Sequence, residues 1–438
     1  MPTSPDAISP PPDAAGSRGV GGPVGPLGPT GRADRIDSID TLRGVALLGI
    51  FVMNIPIFAL TGAAFFNPPV AGGFEGGNYL VWLISHVLFD MKMMAIFSML
   101  FGAGVSLMAT RLGQTGRSAK AVHYRRMLWL LAIGMVHAYL IWFGDILVAY
   151  ALLGMLMYPL LRLPPAWLLL IACCVFPVGM LLSGLQQAMF EALRNAESGE
   201  MARAWKDVGV VFFPTEAFLE EERQAVLGSF FERVRAQAAD VFWMQTWVFA
   251  VFTFWRVSAL MLLGVALHKL GVFTAERSTR FYARMLALGL AVGGGLVTLG
   301  VVLNHANDFD PVAFFGVVGW FNYAGSVGVA LAWVALVMLV CKSGAVAWLR
   351  HALASVGRMA LTNYLMQSIV ASFIFYGWGL GSFGQLSRVE LVPLILGVWA
   401  AQLVISPLWL ARFRFGPMEW LWRSLTYGRL EPLRRARA

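Results

Sequence analysis

The chain is poor in charge. Asp, Glu, Lys and Arg make up only 13% of its 438 residues, about half the share in an ordinary soluble protein. So little charge cannot coat a water-soluble chain of this length, and 58% of the residues are hydrophobic, with a mean hydropathy of +0.69. That argues against a cytosolic globular enzyme and for an integral membrane protein. Cysteine is scarce as well. Cys173, Cys174 and Cys341 sit in or beside apolar runs and make neither a disulfide framework nor a Cys-x-x-Cys metal site. No His-Glu-x-x-His, Walker loop or Gly-x-Ser-x-Gly occurs, so no metal site is expected. Acids are outnumbered, 24 against 33 basic residues. In a membrane protein such an excess reflects basic inner loops rather than nucleic-acid binding.

What is present is a series of apolar segments. Residues 1–34 are rich in Pro, Gly, Ala, Ser and Asp, without the apolar run of a signal peptide, and read as a disordered tail. From Gly44 onward, segments long enough for a bilayer follow one another, each needing about 20 residues. They fall at 44–61, 93–110, 127–143, 146–163, 166–185, 250–271, 282–303, 318–341, 359–378 and 389–410. The fold class is therefore all-α, a polytopic protein of about ten transmembrane helices. Stretches 79–92 and 241–249 lengthen their neighbours and read as amphipathic helices in the outer interface. Residues 35–186 form an N-terminal membrane half and 241–428 a C-terminal half, with a basic tail at 429–438. Between the halves, 187–240 is the long hydrophilic insertion. Met189, Phe190 and Leu193, then Phe230, Phe231 and Val234, recur there at helical spacing, so a small outer helical cap is expected, with a flexible loop as the alternative.

Loop charge orients this arrangement. With the N-terminus inside, 24 of the 33 basic residues fall in inner segments and seven in outer ones, while Lys92 and Arg256 lie within or beside spans. The outer loops 62–78, 144–145 and 304–317 contain no Lys or Arg. Both termini are expected on the cytoplasmic side of a bacterial inner membrane.

Several motifs run in order along the chain. Ile39-Asp40-Thr41-Leu42-Arg43-Gly44-Val45-Ala46 is followed by Asn54, then Leu100-Phe101-Gly102-Ala103-Gly104, Gly134 with His137, and Gly144-Asp145 with Tyr150. Gly357-Arg358-Met359-Ala360-Leu361-Thr362-Asn363-Tyr364 with Gln367, and Gly416-Pro417-Met418-Glu419-Trp420, complete the set. Together they resemble the YeiB-like family of bacterial inner-membrane proteins, whose C-terminal half carries domain of unknown function 418. More distantly, Asp40, Arg43, Gly44 and Ala46 resemble the first helix of transmembrane acyltransferases. These include the family-3 acyltransferases and the lysosomal enzyme that acetylates heparan sulfate. That resemblance implies transfer of an acyl group from a cytoplasmic donor such as acyl-CoA to an envelope glycan or lipid acceptor outside. Family-3 members have a catalytic His where Asn54 stands here, and an amide cannot act as a general base. Another residue would then be the base.

The candidates are few. His137 lies deep in the third span, and Asp145, eight residues on, could orient it across the hairpin. An interhelical hydrogen bond and a helix cap are the structural alternatives. His86 and Asp90, four apart, share a helix face near the outer entrance of the second span, while Lys92 is expected to face elsewhere. Arg43, held by Asp40, could contact donor phosphates, as could the basic loop with Arg111, Arg117, Lys120, Arg125 and Arg126. Asn363 and Gln367 share a face, and with Asn54 and Asn322 they either line a cavity or glue helices together. Arg256, inside a span, should face a polar cavity or an acid, or else snorkel outward. Asn304-His305-Ala306-Asn307-Asp308 reads as a solvated turn. At the C-terminus Pro417 suits a first helical turn, and with Trp420 and Trp422 the segment reads as an interfacial helix docked on the inner face, with Glu419 and Arg423 able to pair four apart. The sequence leaves three functions open: acyl transfer, a small-molecule or lipid transporter, and a non-catalytic membrane scaffold.

Overall fold

The computed structural model describes residues 37–113 and 118–435. The expected tail at 1–34, Arg117 of the basic loop and the last three residues of the C-terminal tail lie outside the described residues. In chain order the helices are α1 (Asp37–Ala59), α2 (Gly76–Leu88), α3 (Lys92–Gly113), α4 (Ala119–Leu140), α5 (Leu147–Met157), α6 (Pro165–Arg194), α7 (Gly199–Phe212) and α8 (Glu216–Leu227). Then come α9 (Phe230–Lys269), α10 (Thr279–Ala306), α11 (Val317–Ser343), α12 (Ala347–Arg358), α13 (Ala360–Phe375), α14 (Arg388–Arg412) and α15 (Pro417–Tyr427). Among the described residues there is no strand, and the one isolated bridge joins Phe413 to Arg434.

Seven stretches are long and apolar enough to cross a membrane: α1, the α2–α3 run, α6, α9, α10, α11 and α14. The other three expected spans are helical but do not reach that standard. The apolar part of α4 begins only after Arg125 and Arg126, and α5 and α13 are short. Exposed apolar side chains such as Leu181, Leu185, Leu288 and Leu408 are the surface a bilayer would cover. "Outer" denotes the face that loop charge assigns to the outside.

Stretch 241–249 is not a separate interfacial helix. It belongs to α9, which runs unbroken for 40 residues. No Pro interrupts that run and its first Gly is Gly264, so nothing separates the last helix of the insertion from the span that follows. At 1.5 Å per residue α9 is about 60 Å long, roughly twice the hydrocarbon thickness. The length beyond a span's needs belongs to the insertion. The rest of the insertion is α7, α8 and the end of α6. Phe190 and Phe212 pack there with Phe66 and Phe315, whereas Phe231, expected on the apolar face, is exposed.

Glycines set the central crossings. A Cβ on Gly357 would meet the Asp40 carbonyl oxygen at 2.0 Å, and one on Gly44 would meet that of Leu353 at 2.0 Å. The backbones of α1 and α12 therefore touch directly, as small residues permit in membrane bundles. On the inner face, the Glu419 carboxylate accepts from Leu361 N at 2.7 Å, Thr362 N at 3.0 Å and Thr362 Oγ1 at 2.6 Å. It caps α13 from another helix, where the expectation was a pair with Arg423. Burial lifts the Glu419 carboxyl above its ordinary range, against the hydrogen bonds from Thr362 and Leu361. Glu419→Ala should cost about 1–3 kcal/mol by orphaning these donors, and Glu419→Gln distinctly less. Thermal unfolding in detergent checks both.

Candidate functional site

The outer end of the bundle holds an open cavity of about 120 Å³ between α1, α2 and the start of α14, ample for bound water or a small headgroup. Helix α2 supplies its polar wall. Leu80, Ile84 and Leu88 recur along one face and are exposed; Trp82 and His86 occupy another and line the cavity. The rings of Trp82 and His86 stack with centroids 5.1 Å apart. His86 Nδ1 lies 3.2 Å from Asp90 Oδ2, and Asp90 also lines the cavity. His86 Nε2 is buried and has no hydrogen-bond partner. The expected i, i+4 pair therefore forms, with one ring nitrogen on the acid and the other free.

Behind the pair lies a network that linear spacing did not show. Lys92 was expected to face away. The chain breaks between α2 and α3, with Met91 in the left-handed region at φ 61°, and the reversal turns Lys92 back. Its Nζ donates to the His86 carbonyl at 2.5 Å and to Asn322 Oδ1 at 2.6 Å, while Asn322 Nδ2 donates to Asp90 at 2.8 Å. Arg256 neither snorkels nor meets an acid in a salt bridge. It donates to the Tyr323 carbonyl (2.8 Å), Ser326 Oγ (2.7 Å) and the Met91 carbonyl (3.4 Å), pinning the break. Arg388, at the start of α14, also lines the cavity. It holds the loop before α2 through the carbonyls of Pro68, Ala71 and Gly73.

The second expected pair forms more tightly. His137 Nδ1 is 2.7 Å from Asp145 Oδ2, and both side chains are 1% exposed. The His137 carbonyl accepts from both Ile141 N and Trp142 N, which closes α4 and turns the chain. Asp145 Oδ1 accepts from Val148 N at 2.8 Å, so Asp145 caps α5 as well. The His137 ring packs against Tyr364 at 5.1 Å, and its Nε2 has no partner. A second cavity of about 210 Å³ reaches Asp145 from the side of α9, lined there by Met244, Gln245, Phe249 and Thr253. The His137 ring lines neither cavity.

The remaining candidates separate from these pairs. Asn363 bonds Val356 O and Ser406 Oγ, and Gln367 bonds Gln402 and Leu47 O, so both tie helices together. Asn54 does not line the outer cavity, although Met53 and Ile55 beside it do. Arg43 pairs with Asp40 at 2.8 Å at the opposite end of α1. His305 of the expected turn bonds Tyr79 Oη at 2.8 Å. Among the described residues no group of His, Cys, Asp and Glu is placed to hold a metal ion.

Comparison with known proteins gives a family and no activity. Residues 267–429 match a family described as "Protein of unknown function (DUF418)". The chain is 29% identical to the uncharacterized protein YeiB of Escherichia coli, over 88% of this chain and 94% of that one. It is 30% identical to the uncharacterized protein YxaH of Bacillus subtilis, over 90% and 94%. No solved structure matches the chain significantly. Similarity of this extent, spanning nearly the whole of both relatives, means that the chain belongs to the YeiB-like family and carries its DUF418 region at residues 267–429.

Proposed function

We propose that the protein transfers an acyl group from a cytoplasmic donor such as acyl-CoA to a hydroxyl group of a glycan or lipid held in the outer cavity. One observation carries this reading: His86 has Nδ1 on Asp90, a partnerless Nε2, and a place on the cavity wall. A general base needs that arrangement, with an acid to hold the ring and a free nitrogen within reach of the proton to be removed. His86 Nε2 would take the acceptor's hydroxyl proton as its oxygen attacks the thioester carbonyl, and the imidazolium would return that proton to the departing thiolate as the C–S bond breaks, leaving the ester and the free thiol. Asp90 orients the imidazole. His137 and Asp145 are the better enclosed pair, and their contacts suit a fixed hairpin more than substrate contact. Arg43 remains the candidate for the donor's phosphate on the inner face.

Purified protein in nanodiscs, given labelled acyl-CoA and a membrane-envelope extract, should label an extract component. His86→Gln should reduce that labelling by about 10²-fold with an unchanged unfolding temperature. Full labelling by this variant, or none by the parent, overturns the proposal. Transport is the second reading. It is favoured by the chain break at 89–91 beside Asp90 and Lys92, because broken helices line substrate paths in carriers. Donor-independent movement of a labelled lipid across the bilayer would support it.

A further inference from the structure

The inner face holds two arginines whose N–H edges have no oxygen acceptor. Arg423 was expected to pair with Glu419, one turn earlier in α15. Glu419 instead accepts from Leu361 and Thr362 on both its carboxylate oxygens. Among the described residues Arg423 then has no hydrogen bond and no ion pair, and its Nε is buried without an acceptor. Aromatic rings hold it. Its guanidinium carbon lies 4.7 Å from the Phe415 ring centre and 5.7 Å from that of Tyr427. Arg126, in the inner part of α4, is held in the same way, with its guanidinium carbon 4.0 Å from the Trp422 ring centre. Among the described residues its one side-chain hydrogen bond goes to a weak acceptor, Met108 Sδ, at 3.6 Å.

The two arginines are neighbours. Trp422, which backs Arg126, directly precedes Arg423, and its Nε1 donates to the Arg126 carbonyl at 2.9 Å. Burial above all, and then the charge of Arg423, bring the Arg126 guanidinium down to about 10, with Arg43 adding to the effect and the Tyr427 phenol opposing it. The acids of this face are engaged with other groups. Asp40 pairs with Arg43 at 2.8 Å, and Glu431 with Arg429 at 2.9 Å. Glu431 reaches Arg423 through its field, against the like charge of Arg414.

Retention of basic loops explains why arginines lie on this face. It does not explain why two are packed on rings side by side, since a cation that only fixes orientation does as well in open water. Stacking holds a guanidinium's plane and leaves its N–H edge for an acceptor. Two parallel N–H groups on such an edge match two oxygens of a phosphate. The backing is rigid, because Glu419 and Trp422 tie α15 to α13 and α4. We propose that Arg126 and Arg423 form a phosphate-binding site on the inner face, which takes the phosphate of a soluble cofactor or of a lipid headgroup. The inference deepens the transferase reading, on which a phosphate-bearing acyl donor rests, by adding these two residues to Arg43.

The test is binding without any acyl group. Full-length protein in dodecyl maltoside, a detergent without phosphate, is titrated calorimetrically with CoA, pantetheine, dihexanoyl phosphatidic acid and dihexanoylglycerol. In at least one pair the phosphate-bearing probe should bind about tenfold or more tighter than its phosphate-free counterpart. A preference in the CoA pair assigns a soluble phosphate, and one in the lipid pair assigns a headgroup. Arg126→Gln and Arg423→Gln should each weaken the preferred probe about tenfold and leave its counterpart unchanged. Arg284→Gln removes the same charge from an exposed position on α10 and should change binding by less than about twofold. Should a Gln variant fail to fold, the Lys variant of the same residue keeps the charge without the planar fork and should still weaken the preferred probe several-fold. No phosphate preference in either pair, a preference that survives substitution of both arginines, or an equal loss in Arg284→Gln overturns the proposal. Phosphate binding without acyl transfer would reject the transferase reading alone, and transfer without phosphate preference would reject this inference alone.

Discussion

Truncating His137 to alanine should lower stability by about 3–5 kcal/mol, because it leaves the Asp145 carboxylate buried without its partner. Both side chains are 1% exposed and the pair is 2.7 Å apart, and only water entering the cavity beside Asp145 could offset part of the loss. The loss should appear as a large fall in unfolding temperature in detergent. The double variant His137→Leu with Asp145→Leu separates the causes. Removing both partners takes away the stranded charge, so it should recover part of the loss. It should not recover all, because Asp145 also accepts from Val148 N at the start of α5. A double variant no more stable than His137→Ala would show that the cap, rather than the stranded carboxylate, dominates. If His137→Ala unfolds at the parent temperature, the pair has no structural role and returns as a candidate for chemistry.

Gly357→Leu is expected to cost about 3 kcal/mol or more, since overpacking is destabilising and here the obstacle is backbone. The new Cβ would lie 2.0 Å from the Asp40 carbonyl oxygen and 2.8 Å from Gly44 N. A flexible side chain could move aside; a helix carbonyl cannot without opening the α1–α12 crossing. Gly104 supplies the control from another motif. Nothing lies within 4 Å of a Cβ built there, so Gly104→Ala should be neutral or gain up to about 1 kcal/mol from helix propensity. Folded yield and unfolding temperature of the two variants, measured together, distinguish a close crossing from mere sensitivity to any motif glycine. Equal behaviour would refute the crossing argument.

Both glycines belong to motifs visible in the sequence, yet only the structure separates their roles. The same holds for the charged residues. Asp40 with Arg43, and His86 with Asp90, are three and four residues apart, and helix geometry alone puts such pairs on one face. Those contacts were legible from spacing. Lys92 was not, because one left-handed residue, Met91, reverses the direction in which the helix would have pointed it. The Glu419 carboxylate was expected to pair within its own helix and instead caps one 57 residues away in sequence.

What the sequence determined by itself was the class of protein and its local pairs. Low charge, apolar segments and asymmetric loops follow from the bilayer as solvent, which acts on composition. Tertiary structure alone decided which distant polar groups meet. Lys92 meets Asn322 across 230 residues, and Arg388 meets the loop at 68–73 across more than 300. Such contacts depend on how helices pack, a property of the folded whole that no spacing along one helix encodes. The scarcity of charge noted first thus acquires a location: two of the few buried cations, Lys92 and Arg256, sit at the break between α2 and α3, behind His86.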